Sequence, residues 1–476
     1  MSFGFKTEEK CKSNIKLNEH PKFKSFKTII PFIATKDELQ QLIQKRNLLQ
    51  RYKRKTKLSN EKLNKTNITS SVNTQAFKNS LLYIFYKIGY GIFVKIHQNK
   101  LVMFKPIYNL NYKNECPSDI KFNNAESLKE YLKNKRHDSY EYDITKWSSN
   151  GCLINMWKLE NINDQRWAEF YDMFNQLCKN VKLNNIEFII NYHDFPILRT
   201  NLTEPNLFMF DDKNKKLVSH KYNLYLPVVS IFSSKLFADI MIPSYSEWKT
   251  LTKLYYISNH TKTACLNKIT NITPIDWNKK IATASFRGGA TGCGITIDTN
   301  QRLKVAYLHQ KYKSDDNYNE KNPIDKIPYL DAGITSYNNR DKKDYKKNID
   351  IINIPKLNIP KLNFIEKHDL QLYKYTIYID GHVAAERLIT ELNSGSVILK
   401  VESLYGWEQW FHKYLKPYIH YIPVKKDLSD LMDKIRWCKL NDSKCIEIVN
   451  NAKLLFKKIN NKKFIFKYLQ TKLNNV

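Results

Sequence analysis

A single aspartate stands where a general base could act. In the stretch IEFIINYHDFP, an apolar run at residues 186–190 precedes Asp194, which is followed by Phe195 and Pro196. Open α/β sheets bind ligands beyond the carboxyl ends of their strands, so this position would put Asp194 at a ligand-binding cleft as a general base. An aspartate that starts a turn before proline has the same spacing, and the residues alone leave both interpretations open.

A glycine-rich segment between two arginines is a second candidate. The stretch FRGGATGCGITIDTNQR holds four of the 12 glycines in the chain: Gly288, Gly289, Gly292 and Gly294. Arg287 and Arg302 bracket the segment, which indicates an anion close to an unobstructed backbone. It is not a Walker P-loop, because no Lys-Ser/Thr pair follows, and it is not a G-x-G-x-x-G motif. A tight turn without a ligand is the alternative.

A third candidate follows the strand-like stretch YKYTIYID. After a turn at Asp380-Gly381, residues 383–393 are predicted to form a helix that stops at Ser394-Gly395. The first three helical residues are small: Val383, Ala384 and Ala385. A diphosphate could therefore approach the free N–H groups of the helix start, with Arg387 one turn further on. A surface helix with one solvated arginine is the alternative.

No metal site is predicted. The chain has no D-x-D motif, and its eight cysteines include no C-x-x-C pair. The acidic pairs at 211–212 and 315–316 lie in lysine- and asparagine-rich stretches, where solvation explains them.

The N-terminal stretch lacks the apolar region of a secretory signal. We expect reduced thiols and a cytoplasmic location, in the host cytoplasm if the protein is viral.

The net charge of +32 could indicate a nucleic-acid partner, a membrane surface or a lysine-rich proteome. The lysines are dispersed among many Asn, Ile and Tyr residues, as in a large DNA virus or an AT-rich microbe, which favours the third explanation. Residues 51–71 are the exception and are predicted to be a basic, mobile arm. The most apolar window, residues 81–94, contains Lys87 and is too short to span a bilayer, so it predicts a core strand.

The periodic patterns predict an α/β protein. Residues 1–75 form a basic accessory region with a helix at 36–52. A domain at 76–260 begins with three strands, LLYIFYKI, GIFVKI and KLVMFKPI, and continues with a helix at 164–181 that leads into the apolar strand before Asp194.

A second domain is predicted at 261–456. A strand ends in the glycine-rich segment, RLKVAYLHQKY forms a helix, and residues 313–363 are a polar insertion. Strands (YKYTIYID, SVILKV, HYIPV) then alternate with helices (VAAERLITELN, WEQWFHKYL, LSDLMDKIRWCKL), as a parallel sheet with covering helices requires. A basic helix is predicted at 457–476. The predicted architecture is two Rossmann-type α/β domains that face a cleft.

Five motifs in this order resemble the CAP10-type glycosyltransferases. They are FIINYHDFP, LPVVSIFSSKLFADIMIPSYSEW, WNKKIATASFRGGATGCG with N-x-R at 300–302, YKYTIYIDGHVAAERLITELNSGSVILKVES and LKPYIHYIPVKKDLSDLMDKIRW. That family includes capsule-associated fungal xylosyltransferases, protein O-glucosyltransferases of the Rumi type, and bacterial and viral relatives associated with lipopolysaccharide modification. The resemblance extends from about residue 80 to residue 456.

The resemblance implies a GT-B-like fold and inverting transfer of a sugar from a UDP-sugar, without a metal, to a hydroxyl of a glycan or protein acceptor. Asp194 would be the general base, and Asp239 and Trp248 would shape the acceptor side of the cleft. The implied donor-binding residues are Arg287, Gly288, Gly289, Thr291, Arg302, Val383, Ala384, Ala385 and Arg387.

One departure and two alternatives accompany this prediction. The protein O-glucosyltransferase branch has an arginine where this chain has Ala290, before Thr291, so the motif matches the T-G-C-G variant of bacterial and viral members. One alternative is a basic nucleic-acid-binding protein, suggested by the charge and by residues 51–71. The other is an inactive glycan-binding member of the same fold.

Overall fold

The structure is a computed structural model that describes residues 33–44, 74–109, 165–198, 225–252, 275–292, 296–313, 328–336, 359–365 and 367–476. The strands are β1 (Tyr90–His97), β2 (Lys100–Tyr108), β3 (Ile186–Asn191), β4 (Val228–Ser230), β5 (Phe232–Ser233), β6 (Ile240–Met241), β7 (Ile281–Gly288), β8 (Leu330–Ile334), β9 (Tyr373–Tyr378), β10 (Val397–Val401), β11 (Glu408–Gln409) and β12 (Ile422–Val424). The longer helices are α1 (Thr74–Tyr83), α2 (Gln165–Asn180), α3 (Tyr245–Thr252), α4 (Gln301–Lys313), α5 (Leu431–Leu440), α6 (Asp442–Ile459) and α7 (Lys462–Asn474). Residues 36–44 are helical as well.

The first five-stranded sheet has the order β2-β1-β3-β4-β6. β1 is antiparallel to both β2 and β3, whereas β3, β4 and β6 run parallel. All six residues of β3 are buried, because both faces of this strand are covered. Phe188 and Ile190 pack in the cluster that contains the apolar face of α2, and Ile189 packs on the other side with α1.

The second five-stranded sheet has the order β12-β10-β9-β7-β8 and is parallel throughout. Its strands bury alternate apolar residues against α5 and the first half of α6. The chain then returns to the first sheet, because the end of α6 and the apolar face of α7 pack in the same cluster as α2. A short antiparallel pair between β5 and β11 also connects the two halves of the chain.

The predicted α/β class is confirmed, with a mixed first sheet and a parallel second one. The predicted domain boundaries remain a prediction. None of the helices within the described ranges combines the length and apolar character that a bilayer-spanning segment needs. The basic arm at 51–71 lies outside the described residues, as does the second half of the helix predicted at 36–52.

Some predicted elements are wrong in type or extent. LLYIFYKI is helical: α1 continues into a π-helical turn, Ile84–Ile88, and Gly89 ends it with a φ of 89°. A short run made almost entirely of apolar residues carries no periodicity that separates helix from strand. WEQWFHKYL forms β11 and a 3-10 turn, His412–Tyr414, because burial of Trp407, Trp410 and Phe411 overrides helix propensity. The helix predicted at 457–476 is the end of α6 followed by the separate α7.

The predicted polar insertion also contains part of the second sheet. β8 is the edge strand of that sheet and pairs with β7. Beyond Lys313, the described residues of the insertion are 328–336 and 359–363. A second passage of the chain covers β8: Leu362 N donates to Ile334 O at 2.8 Å. Gly333 makes room for this passage, since a Cβ atom there would lie 2.3 Å from Cδ1 of Leu362.

Candidate functional site

Asp194 lies at the exposed tip of a tightly held turn beyond the carboxyl end of β3. The Asn191 side chain closes the turn: its Nδ2 donates to Phe195 O at 2.7 Å, and its Oδ1 accepts from His193 N at 3.1 Å. The His193 ring is buried and stacks on Tyr90, with ring centroids 3.5 Å apart. The predicted position of Asp194 after a buried strand therefore agrees with the structure, and its catalytic role stays a prediction.

Asp239 and Trp248 are both buried, so they could shape the acceptor side of the cleft only through the residues they hold, and that role stays a prediction. The Asp239 carboxylate accepts from Ile197 N at 2.9 Å, Leu198 N at 2.7 Å and the Ser230 hydroxyl at 2.6 Å. Burial raises the pKa of Asp239 to about 6, although these hydrogen bonds act in the opposite direction. The Trp248 ring is 0% exposed, and its Nε1 donates to Asp172 Oδ2 at 2.9 Å. Sequence position alone did not reveal that both side chains point into the core.

Arg302 joins the glycine-rich segment to the end of β9. Its guanidinium donates to Asp380 O at 2.8 Å, Gly289 O at 3.0 Å, Ile379 O at 3.1 Å and the Thr291 hydroxyl at 2.7 Å. The side chain is buried, and burial, followed by repulsion from a neighbouring arginine, lowers its pKa to about 9. Asn300 Oδ1 accepts from the backbone N–H groups that follow it and so begins α4, which carries Arg302. Arg302 therefore holds the glycine-rich segment against the end of β9 from the buried side.

The absence of side chains on Gly288 and Gly289 lets other side chains of this chain approach their backbone closely. A Cβ atom on Gly289 would lie 2.8 Å from the Ser336 hydroxyl, and one on Gly288 would lie 3.4 Å from Nη1 of Arg302. Gly292 has a φ of 129°, which a residue with a side chain rarely adopts. Neighbouring side chains thus occupy the space beside the Cα atoms of Gly288 and Gly289, and the approach of an anion to this backbone stays a prediction. Gly294 lies outside the described residues.

Arg287 and Arg387 both bind groups within the chain. Arg287 forms an ion pair with Asp331 at 2.7 Å and donates to Asp331 O at 2.9 Å. Arg387 lies 2.8 Å from a carboxylate oxygen of Glu391 and donates to the backbone oxygens of Arg287 and Ile377. The predicted role of the two arginines in binding a diphosphate is untested, and each guanidinium would have to exchange these contacts for phosphate.

The helix start predicted at Val383 is absent. Only residues Leu388–Glu391 are helical, and Val383 and Ala384 are buried in the core shared with the first sheet. The Tyr378 hydroxyl binds both backbone groups of Ala385: it accepts from N at 2.8 Å and donates to O at 3.0 Å. These contacts hold the segment in a turn, so the predicted approach of a diphosphate to a helix terminus here is wrong.

A pocket lies at the carboxyl ends of β7, β9 and β10. It is partly open to solvent and is lined by Thr291, Gly292, Asn300, Gln301, Asp380, Gly381, Leu404, Tyr405 and Trp407. This is the edge at which parallel sheets bind ligands. Leu404 and Tyr405 form an exposed rim, whereas Asp380 and Trp407 are buried.

Asp380 and Trp407 are two buried residues with polar groups in this pocket that the sequence did not predict as site residues. Within the described ranges, Asp380 Oδ2 has no hydrogen-bond partner, and neither does the Nε1 donor of Trp407. Burial raises the pKa of Asp380 to about 6, although a hydrogen bond with Ser403 and the positive charge of Lys400 act to lower it. An Asp-Gly pair directly after a buried parallel strand is the available signal, although such a pair by itself predicts only a turn. No group of three His, Cys, Asp or Glu residues that could hold a metal occurs in the part of the chain that the structure describes.

Comparison with known proteins assigns the class. Residues 164–475 match the model of Glycosyl transferase family 90, and the chain belongs to this family, which confirms the resemblance noted in the sequence. Uncharacterized protein 179R of Invertebrate iridescent virus 6 is 35% identical over 433 residues, which cover 80% of this chain and 35% of that protein. Protein O-glucosyltransferase 3 of Mus musculus is 27% identical over 280 residues, covering 58% of this chain and 44% of that protein.

The chain thus spans little more than a third of the length of that viral relative. Among solved structures, TarM is similar with a TM-score of 0.29 and 13% identity, covering 52% of this chain and 43% of that one.

Proposed function

We propose that the chain transfers glucose or xylose from a UDP-sugar to a hydroxyl of a glycan or protein acceptor, with inversion at the anomeric carbon. In this proposal the two sheets belong to a GT-B-like pair of domains, with the donor at the second sheet and the acceptor at the first. The observation that carries it is the pocket at the carboxyl edge of the parallel sheet, within the region that matches the glycosyltransferase family.

The polar groups of the pocket suit the hydroxyl-bearing part of a UDP-sugar. Asp380 Oδ2 would accept a hydrogen bond from an O–H or N–H group, and Trp407 Nε1 would donate one. A carboxylate repels phosphate, so the diphosphate would lie away from Asp380. Arg287 and Arg387 are its proposed partners, and they would stabilise the charge that develops on the departing UDP.

The exposed carboxylate of Asp194 is the proposed base. It would take the proton of the acceptor hydroxyl while the acceptor oxygen forms its bond to the anomeric carbon. The bond between that carbon and the UDP oxygen breaks in the same step, and the electron pair leaves with UDP. A carboxylate at the tip of a turn that is fixed on both sides suits this task, because the base must be accessible and also held within hydrogen-bond reach.

A donor screen with a matched pair of variants tests the proposal. The protein is incubated with UDP-glucose, UDP-xylose, UDP-galactose, UDP-N-acetylglucosamine or UDP-glucuronate, and released UDP is measured. Asp194→Asn should lose UDP release and keep the thermal stabilisation by UDP. The control is Asp433→Asn, which removes a carboxylate that is 74% exposed on α5 and should leave both properties unchanged.

Two results would contradict the proposal. The first is wild-type protein that neither releases UDP nor is stabilised by it, above all if the protein instead binds nucleic acid in a salt-dependent way. The second is loss of UDP binding in Asp194→Asn, because a base for the acceptor hydroxyl does not contact the nucleotide.

A further inference from the structure

A buried chain of hydrogen bonds leads from Asp239 to the turn that carries Asp194. Ser230 donates its hydroxyl proton to Asp239 Oδ1 at 2.6 Å, and Asn191 Nδ2 donates to Ser230 Oγ at 3.0 Å. Asn191 then closes the turn through Phe195 O. The three polar side chains are almost inaccessible to solvent: 0% exposed for Asn191, 1% for Ser230 and 6% for Asp239. Such buried, fully paired groups rigidify the backbone around them.

The same carboxylate fixes the other side of the turn. Asp239 accepts from the N–H groups of both Ile197 and Leu198. The carbonyl of Ile197 accepts from the Tyr83 hydroxyl at 2.7 Å, and that of Leu198 accepts from Ala238 N at 2.7 Å. All four backbone N–H and C=O groups of Ile197 and Leu198 are therefore hydrogen-bonded. These bonds fix the backbone on the side of the turn that follows Asp194.

The order of donors and acceptors permits one arrangement. An ionised Asp239 can only accept, so the single proton of Ser230 points to it and a Ser230 lone pair faces Asn191. The Asn191 amide must then direct Nδ2 toward Ser230 and Phe195 O, which leaves Oδ1 for His193 N. The orientation of one buried carboxylate thus determines which way the turn closes.

We infer that Asn191, Ser230 and Asp239 are positioning residues for the Asp194 carboxylate, an inference that rests on the proposed function. None of the three lines the pocket at the second sheet. Loosening the chain of hydrogen bonds would therefore displace the base without changing donor binding. The kinetic signature is a fall in kcat at constant KM for the UDP-sugar.

Ser230→Ala and Asn191→Ala test the inference, with Ser80→Ala as the matched control. Ser80 is also a buried serine, 2% exposed, whose Oγ accepts one backbone hydrogen bond from Leu226 N at 2.8 Å. Using the donor that the wild type turns over, we expect kcat to fall roughly 10- to 100-fold in Ser230→Ala and Asn191→Ala, because small displacements of a catalytic group have effects of that size. KM for the donor and the thermal stabilisation by UDP should stay within about twofold of wild type, and Ser80→Ala should match wild type throughout.

The results separate this inference from the proposed function. If the wild type turns over a donor and both variants keep its kcat while folded, the inference is wrong and the proposed function stands. Equal losses in kcat and in UDP stabilisation, shared by Ser80→Ala, would mean general destabilisation and would also overturn it. A wild type without turnover and without UDP binding refutes the proposed function, and the inference falls with it.

Discussion

Replacing Arg302 should detach the glycine-rich segment from the end of β9. The substitution Arg302→Ala leaves four acceptors without their donor: Gly289 O, Ile379 O, Asp380 O and the Thr291 hydroxyl. An unsatisfied buried acceptor costs about 1–3 kcal/mol, and water that enters the vacated space can satisfy some of them. We therefore expect the free energy of unfolding to fall by about 3–5 kcal/mol, less than the simple sum.

The variant Arg302→Lys refines this prediction. In the wild type the planar guanidinium reaches acceptors on two separate segments. Lysine keeps the charge but has only a single ammonium group, which cannot bind both segments in the same way. It should recover part of the lost stability and should not restore UDP binding, because Thr291 and Asp380 both line the pocket and would no longer be held together.

Urea unfolding and thermal stabilisation by UDP measure the two effects. Arg436→Ala is the control: this arginine is 51% exposed and pairs with Asp433 on α5, so its loss should cost less than about 0.5 kcal/mol. The reasoning is refuted if Arg302→Ala unfolds within about 1 kcal/mol of wild type and is stabilised by UDP to the same extent.

Three further predictions concern charge. Arg387→Ala should weaken UDP binding by on the order of 1.5–3 kcal/mol in calorimetry, as expected for one charge-assisted contact, and an unchanged affinity would remove this arginine from the donor site. UDP release should persist in EDTA because the sequence has no D-x-D motif, and strict dependence on Mn²⁺ would contradict this. Burial, together with repulsion from Glu386, raises the pKa of Glu247 from 4.5 to about 8. Since the folded-state pKa lies above the unfolded one, ionisation destabilises the fold as pH rises through that window, and Glu247→Gln should become progressively more stable than wild type between about pH 4.5 and 8 in urea unfolding. A difference that is independent of pH would refute this account of Glu247.

The elements that were predicted correctly share strong local signals. The apolar core of β3, the amphipathic pattern of α2 and the apolar strands β9 and β10 all have one secondary structure that suits their periodicity. The position of Asp194 followed from the same logic, because a polar residue after a buried strand must lie at the edge of a sheet. Where the pattern was uniformly apolar, as before Gly89, the choice between helix and strand depended on packing with distant residues.

The surroundings of the residues proposed to bind the donor were harder to predict, because they come from elsewhere in the chain. Arg287 pairs with Asp331, which lies in a stretch that looked like a polar insertion. The helix expected at Val383 is replaced by a turn because the Tyr378 hydroxyl binds the backbone of Ala385. Neither contact can be recognised from the residues next to it in the sequence, because both depend on which groups the fold buries and pairs.

The passage of the chain over β8 bears on self-association. An uncovered edge strand presents unpaired backbone groups that can recruit another molecule into intermolecular β-structure. Here Lys361 forms a parallel bridge to Ile334 and so covers part of that edge. The neighbouring Pro360 has no N–H group that could bind a further strand. The fit depends on the missing side chain of Gly333, against which Leu362 lies. A larger residue at this one position would displace Leu362 and leave the edge of the second sheet open to aggregation, although the position lies outside the pocket.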